Sequence, residues 1–134
     1  IIEINKEKLP IVFGIGGSDT AAVAKSMADF DRKGVVAFLS ASPAYSKPSQ
    51  EGIYRHYMAL NESTKLPIIL YNVPGRTASN VLPSTVLRIA KDAKNIVAIK
   101  EAAGNIEQVM DLARMLPEDF ILLSGDDIFY CLRR

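Results

Sequence analysis

Five short runs rich in Val, Ile, Leu and Phe punctuate the chain: "PIVFGIGG" from Pro10, "VVAFLSAS" from Val35, "PIILYNV" from Pro67, "IVAIK" from Ile96 and "FILLSG" from Phe120. Their near-continuous apolarity, in place of strict alternation, predicts strands covered on both faces, as in a parallel sheet. Four stretches with helical spacing lie between them. The first holds Val23, Met27 and Phe30, the second Ile53, Tyr57 and Leu60, the third Val86, Ile89, Ala90 and Ala93, and the fourth Ile106, Val109, Met110 and Ala113. Each set recurs at three- and four-residue steps, which predicts a helix laying one apolar stripe on the sheet. Ser18 or Asp19, Ser49, Pro83-Ser84 and Asn105 stand where helix caps or first-turn residues belong.

Strand followed by helix, repeated, implies parallel strands joined by right-handed crossovers. A (β/α) barrel and a doubly wound sheet both satisfy that order. Five strands are too few to close an eight-stranded barrel and enough for a flavodoxin-like sheet, so the pattern leaves the two open. No linker, low-complexity tract or charge block divides residues 1–134, which read as one structural unit. The chain opens at Ile1 without an initiator methionine and stops in the helix-like "DDIFYCLRR" with no capping glycine or proline. The expectation is a piece of something larger, cut at both ends.

Composition narrows the classes. At 49% hydrophobic and 23% charged, the chain has the make-up of a globular protein with a core. Sixteen basic residues against fifteen acidic ones give a net charge of +1, with no basic cluster beyond Arg133-Arg134, so the electrostatic footprint for nucleic acid is missing. No apolar run approaches the roughly 20 residues of a spanning helix, and no membrane role is expected. The single cysteine, Cys131, rules out an internal disulfide and fits a reducing, cytoplasmic setting as a buried inert thiol. Asn61-Glu62-Ser63 matches a glycosylation acceptor by coincidence only.

In either fold, ligands sit at the carboxyl ends of the parallel strands, so chemistry is sought in the residues closing each run. Lys100 ends "IVAIK". Its plain reading is a strand-end lysine whose stem lies along the sheet while the head reaches water. Its chemical reading is a nucleophile, because a poorly hydrated amine favours the uncharged form that attacks a ketone to give a Schiff base. Tyr71 closes the preceding run "IILY", next in sequence and therefore expected next in space. It is either an amphipathic packer or a proton carrier for carbinolamine formation and dehydration. Arg76 follows the Pro74-Gly75 turn, a solvated cation or a fork for a substrate carboxylate. Tyr45 lies in a loop stiffened by Pro43 and Pro48, an aromatic suited to a neighbouring subunit.

The other candidates carry less. Gly14, Gly16 and Gly17 have the spacing of neither the P-loop nor the dinucleotide fingerprint. Asp126 and Asp127, without His or Cys nearby, read as helix-start residues in place of metal ligands. His56, the only histidine, reads as a surface residue between Arg55 and Tyr57. No cofactor and no metal are expected.

Taken in order, "SPAYSKPSQEG", "YNVPGRT", "IKEAAGN" and "LLSGDD" resemble the dihydrodipicolinate synthase family of the class I pyruvate aldolase superfamily, over nearly the whole chain from Leu9 to Asp127. The arginine of "YNVPGRT" distinguishes that branch from N-acetylneuraminate and keto-sugar-acid lyases. The resemblance implies a (β/α) barrel in which these runs are the third to seventh of eight strands. It implies that Lys100 forms a Schiff base with pyruvate, that Tyr71 relays protons, and that Arg76 holds the carboxylate of the second substrate, aspartate semialdehyde. Tyr45 looks like the tyrosine that crosses a dimer interface to complete the relay in the neighbour, within a homodimer or homotetramer. Gly125 matches the glycine lining the pyruvate pocket.

Two departures accompany the resemblance. The family's paired threonines would lie upstream of Ile1 and its eighth strand beyond the end, so the chain by itself is expected to be inactive. The positions matching the effector contacts of lysine-inhibited members are Ser18, Ala22 and Ala44, which offer neither carboxylate nor aromatic ring, so weak or absent inhibition by lysine is expected. The alternatives are a sibling pyruvate aldolase using another aldehyde, and a non-catalytic βα binding module.

Overall fold

The computed structural model describes residues 2–5, 8–31 and 34–126. Asp127 and Cys131 lie outside the described residues, so the readings made of them stay with the sequence. After a short helix, α1 (Ile2–Asn5), the elements alternate: β1 (Ile11–Gly14), α2 (Thr20–Ala28), β2 (Val35–Ala41), α3 (Gln50–Ser63), β3 (Ile68–Asn72), α4 (Pro74–Thr77), α5 (Pro83–Asp92), β4 (Ile96–Glu101), α6 (Ile106–Met115) and β5 (Ile121–Ser124). Four of the five strands fall within the apolar runs, and β4 extends one residue past its run to Glu101. The helix α1 and the single turn α4 have no counterpart among the expected elements.

Strand order separates the two architectures that the pattern leaves open. The sheet runs β1-β2-β3-β4-β5 with every neighbour parallel. A flavodoxin-like sheet places its second strand outside its first, whereas a barrel wall adds each strand beside the last. The sequential order is that of a barrel wall, and the fold is a five-stranded partial α/β barrel.

Helix starts follow the capping chemistry. Asp19 caps α2, its carboxylate accepting from the backbone of Ala21 at 2.9 Å and Ala22 at 3.2 Å. Ser49 caps α3 through Gly52, and Asn105 caps α6 through Glu107 and Gln108. Pro83 opens α5, where its missing N–H costs nothing. Losing any one of the side-chain caps costs about 1 kcal/mol.

Packing is concentrated on the helix side of the sheet. Phe38, Ile68, Leu70 and Ile99 project there and meet Met27 of α2, Ile53, Tyr57 and Leu60 of α3, Val86 and Ile89 of α5 and Leu112 of α6, all fully buried. Each such side chain contributes roughly 1.5–3 kcal/mol through burial. Phe30, just past α2, fills the β1–β2 end of this layer with ring centroids 4.7 Å from Phe13 and 5.2 Å from Phe38. The opposite face is less covered, and Val12 and Ile121 are exposed. The expectation of strands buried on both faces therefore holds for the central strands, where Ala37 and Ala98 are buried on the less covered face, and fails at β1, where Phe13 is exposed even on the helix side.

The fourth helical stripe is a correction. Ile106 and Met110 are exposed and Ala113 with them, while Gln108 and Leu112 are the buried residues of α6. Counting apolar residues turned this helix the wrong way. A buried carboxylate on the facing strand draws the polar Gln108 inward, and Leu112, one turn on, follows it.

Candidate active site

Tyr71 and Lys100 are paired in register at the carboxyl ends of β3 and β4. Strand alternation places both on the face opposite the helices, with Asn72 and Glu101 pointing the other way. The Lys100 Nζ stands 4.7 Å from the centroid of the Tyr71 ring. That is within range for a cation–π contact, and both side chains are half-buried. No ion pair engages Lys100 among the described residues. The amine is thus held at the mouth of the strands, against a phenol, with one side open. This arrangement can deliver a nitrogen nucleophile beside a group able to donate or accept a proton.

Gly125 closes β5 against the same strand end. Its backbone N–H donates to the Glu101 carbonyl at 2.6 Å, and a Cβ there would lie 2.5 Å from the Ala102 Cβ and 3.1 Å from that carbonyl oxygen. Only glycine permits this approach, one residue from Lys100.

Arg76 and Tyr45 occupy the rim beyond the β2 and β3 ends. Arg76 is exposed in the turn α4. The Tyr45 backbone N–H donates to the Thr77 carbonyl at 3.2 Å, which ties the two loops together. Ser18 Oγ donates to the Ala44 carbonyl at 2.9 Å and joins the loop after β1 to them. Tyr45 is held at φ 68° and Lys47 at φ 44°, left-handed backbone that bulky residues rarely adopt. The Tyr45 side chain is 93% exposed. The described residues therefore bring together Lys100, Tyr71 and the Gly125 backbone, and leave the Arg76 and Tyr45 side chains exposed on the rim. They contain no group of three or more His, Cys, Asp or Glu placed to hold a metal ion.

Sequence reading missed the polar cluster on the helix side of the pair. The Glu101 carboxylate is buried and accepts from the Ala103 N–H at 2.7 Å, from Asn72 Nδ2 at 2.9 and 3.1 Å, and from Gln108 Nε2 at 3.0 Å. Asn80 exchanges hydrogen bonds with Gln108, and Asn72 Oδ1 accepts from the Val81 N–H. Asn72 and Glu101 each follow a candidate catalytic residue, and a polar residue on the packed side of a strand end was the available signal.

His56 is a second correction. It is 2% exposed, its Nδ1 hydrogen-bonded to Thr20 Oγ1 at 2.8 Å and its ring edge-on to Tyr57, while Nε2 has no partner among the described residues. Burial pushes its pKa down to about 4. Placement between Arg55 and Tyr57 disguised it, because only the intervening face of α3 reaches α2. Nothing places it in contact with the Tyr71–Lys100 pair.

Comparison with known proteins supplies the family. The model of the dihydrodipicolinate synthetase family matches residues 1–131. A 4-hydroxy-tetrahydrodipicolinate synthase of Flavobacterium psychrophilum is 53% identical over 128 residues, which is 96% of this chain and 44% of that protein. The crystal structure of dihydrodipicolinate synthase from Thermotoga maritima superposes with a TM-score of 0.90 at 41% identity, covering 96% of this chain and 44% of that one. A chloride-inhibited dihydrodipicolinate synthase from Acinetobacter baumannii, complexed with pyruvate, superposes with a TM-score of 0.89 at 38% identity and the same coverage. The chain thus spans less than half the length of these relatives, and along that span it belongs to the dihydrodipicolinate synthetase family.

Proposed function

We propose that this chain is the wall of a larger (β/α) barrel, contributing its third to seventh strands, and that the complete protein joins pyruvate to aspartate semialdehyde as a 4-hydroxy-tetrahydrodipicolinate synthase. The observation that carries this reading is the register pairing of Tyr71 with Lys100 and the 4.7 Å separation of the amine from the ring. The reaction then runs without metal or organic cofactor. The uncharged Lys100 amine adds to the ketone carbon of pyruvate, forming a C–N bond, and its proton passes to the developing alkoxide through the Tyr71 phenol. Protonation of the resulting hydroxyl expels water and leaves an iminium. Loss of a methyl proton gives an enamine, whose carbon attacks the aldehyde of the second substrate. Attack by that substrate's own amine on the imine carbon closes the ring and releases Lys100. One water leaves overall.

Arg76 holds the carboxylate of the aldehyde substrate, a role suited to its fork and its place on the rim. Gly125 lines the pyruvate pocket, where its missing side chain keeps the backbone close. Tyr45 completes the proton relay of a neighbouring subunit in a homodimer or homotetramer, and its exposed, strained placement supports that role. The setting is cytoplasmic. The test is a condensation assay on the complete protein. Product formation from pyruvate with aspartate semialdehyde is expected. Turnover only with a sugar-derived aldehyde would favour a sibling aldolase, and no turnover with any aldehyde would favour a binding module.

A further inference from the structure

The Glu101 carboxyl group is buried among neutral groups. Every donor described above for its carboxylate is an amide, from Ala103, Asn72 and Gln108. A buried charge without a cationic partner is costly even when hydrogen-bonded, so a position that only needed packing would be better served by an apolar residue. The carboxylate lies where three elements meet. Asn72 follows Tyr71 on β3 and sits opposite Glu101 in register, Glu101 follows Lys100 on β4, and Gln108 comes from α6. Asn80 and the Val81 N–H add the loop leading to α5. On the backbone, the Ala102 N–H donates to the Asn72 carbonyl at 2.9 Å.

We propose that Glu101 is a positioning residue for the Schiff-base chemistry: its carboxylate clamps the ends of β3 and β4 against α6 and so fixes the Lys100 amine against the Tyr71 phenol. The proposal rests on the reading of Lys100 as the nucleophile. A side chain can be shifted by about an ångström when its support is lost, and a shift of that size at reacting atoms costs up to about 100-fold in rate. Glutamine at this position keeps the shape of Glu101 but turns an amide donor toward donors, which pushes the clamp apart. Exchanging the two partners, Glu101→Gln with Gln108→Glu, returns one carboxylate to the cluster from the α6 side.

The experiment measures borohydride trapping of pyruvate by the complete protein, well below the unfolding midpoint of each variant. Glu101→Gln is expected to slow trapping at saturating pyruvate by about 10- to 100-fold with little change in half-saturation. The exchanged pair is expected to recover most of that rate. Leu60→Ala, which removes a fully buried side chain from α3 far along the core, controls for lost stability and should trap at the wild-type rate while folded. Trapping by folded Glu101→Gln within twofold of wild type, or an exchanged pair no faster than the single variant, would overturn the proposal. Failure of wild type itself to form an adduct on Lys100 would instead overturn the reading on which it rests.

Discussion

The two halves of the strand-end rim differ in how their polar groups are satisfied. At the ends of β3 and β4 the buried Glu101 carboxylate and the amides around it are fully hydrogen-bonded, and the Tyr71–Lys100 pair sits directly across the sheet from them. At the β1–β2 end the buried hydroxyls of Ser40 and Ser42 and the Nε2 of His56 have no partner among the described residues, the backbone of Tyr45 and Lys47 is left-handed, and Tyr45 is exposed. Satisfied networks rigidify, and unsatisfied buried groups cost about 1–3 kcal/mol each. The β3–β4 end is therefore preorganised by this chain itself, while the β1–β2 end holds the strain.

The sharpest way to break that contrast is to remove the amine proposed as the nucleophile. Lys100→Ala should lower condensation by the complete protein at least about 1,000-fold and abolish trapping of pyruvate, whereas Tyr45→Phe, which interrupts the relay but keeps the amine, should slow trapping without abolishing it. Tyr71→Phe ranks next, with a loss of about 100- to 10,000-fold in kcat and a small change in the pyruvate KM, read by steady-state kinetics. The isolated 134-residue chain, with five parallel strands and less than half the length of its relatives, should show no measurable condensation under conditions where the complete protein turns over.

Stability against pH probes the other end. His56 stays neutral in the fold, with a pKa near 4 against about 6.5 unfolded, so between those values the unfolded chain binds more protons. Its contribution is complete above pH 6.5 and is lost as pH falls toward 4, a loss of roughly 3 kcal/mol. Denaturant titrations of wild type and His56→Gln should diverge across that window and run parallel above it. A slope unchanged by the substitution would place the acid sensitivity elsewhere.

The smallest effect concerns lysine. Ser18 and Ala22 line a cleft of about 230 Å³ behind the loop after β1, and its only carboxylate, Asp19, is engaged in capping α2. Free lysine should inhibit the complete protein weakly or not at all. Half-inhibition matching that of a sensitive homologue would contradict this.

How much of this was legible depended on which atoms carried the signal. The strands could be read because uninterrupted Val and Ile runs have few other uses, and α2, α3 and α5 because their stripes and caps agree. Lys100 and Tyr71 stood out as polar residues terminating apolar runs, and the expected adjacency followed from consecutive strands. Glu101, Asn72 and Gln108 were not legible because each looks solvent-facing alone, and only the register that joins them makes burial tolerable. The turn of α6 was misread for the same reason. His56 was hidden because its neighbours in sequence, Arg55 and Tyr57, lie on different faces of α3, and only the packing of α2 against α3 decides which face is dry.

The central claim is that one amine, poised at the end of β4, condenses with an α-keto acid. Borohydride reduction of the complete protein with pyruvate, followed by peptide mapping, tests it most directly. The account predicts a single reduced adduct on the peptide containing Lys100, absent in Lys100→Ala. An adduct on another lysine, or none in a protein that still consumes pyruvate, would contradict it.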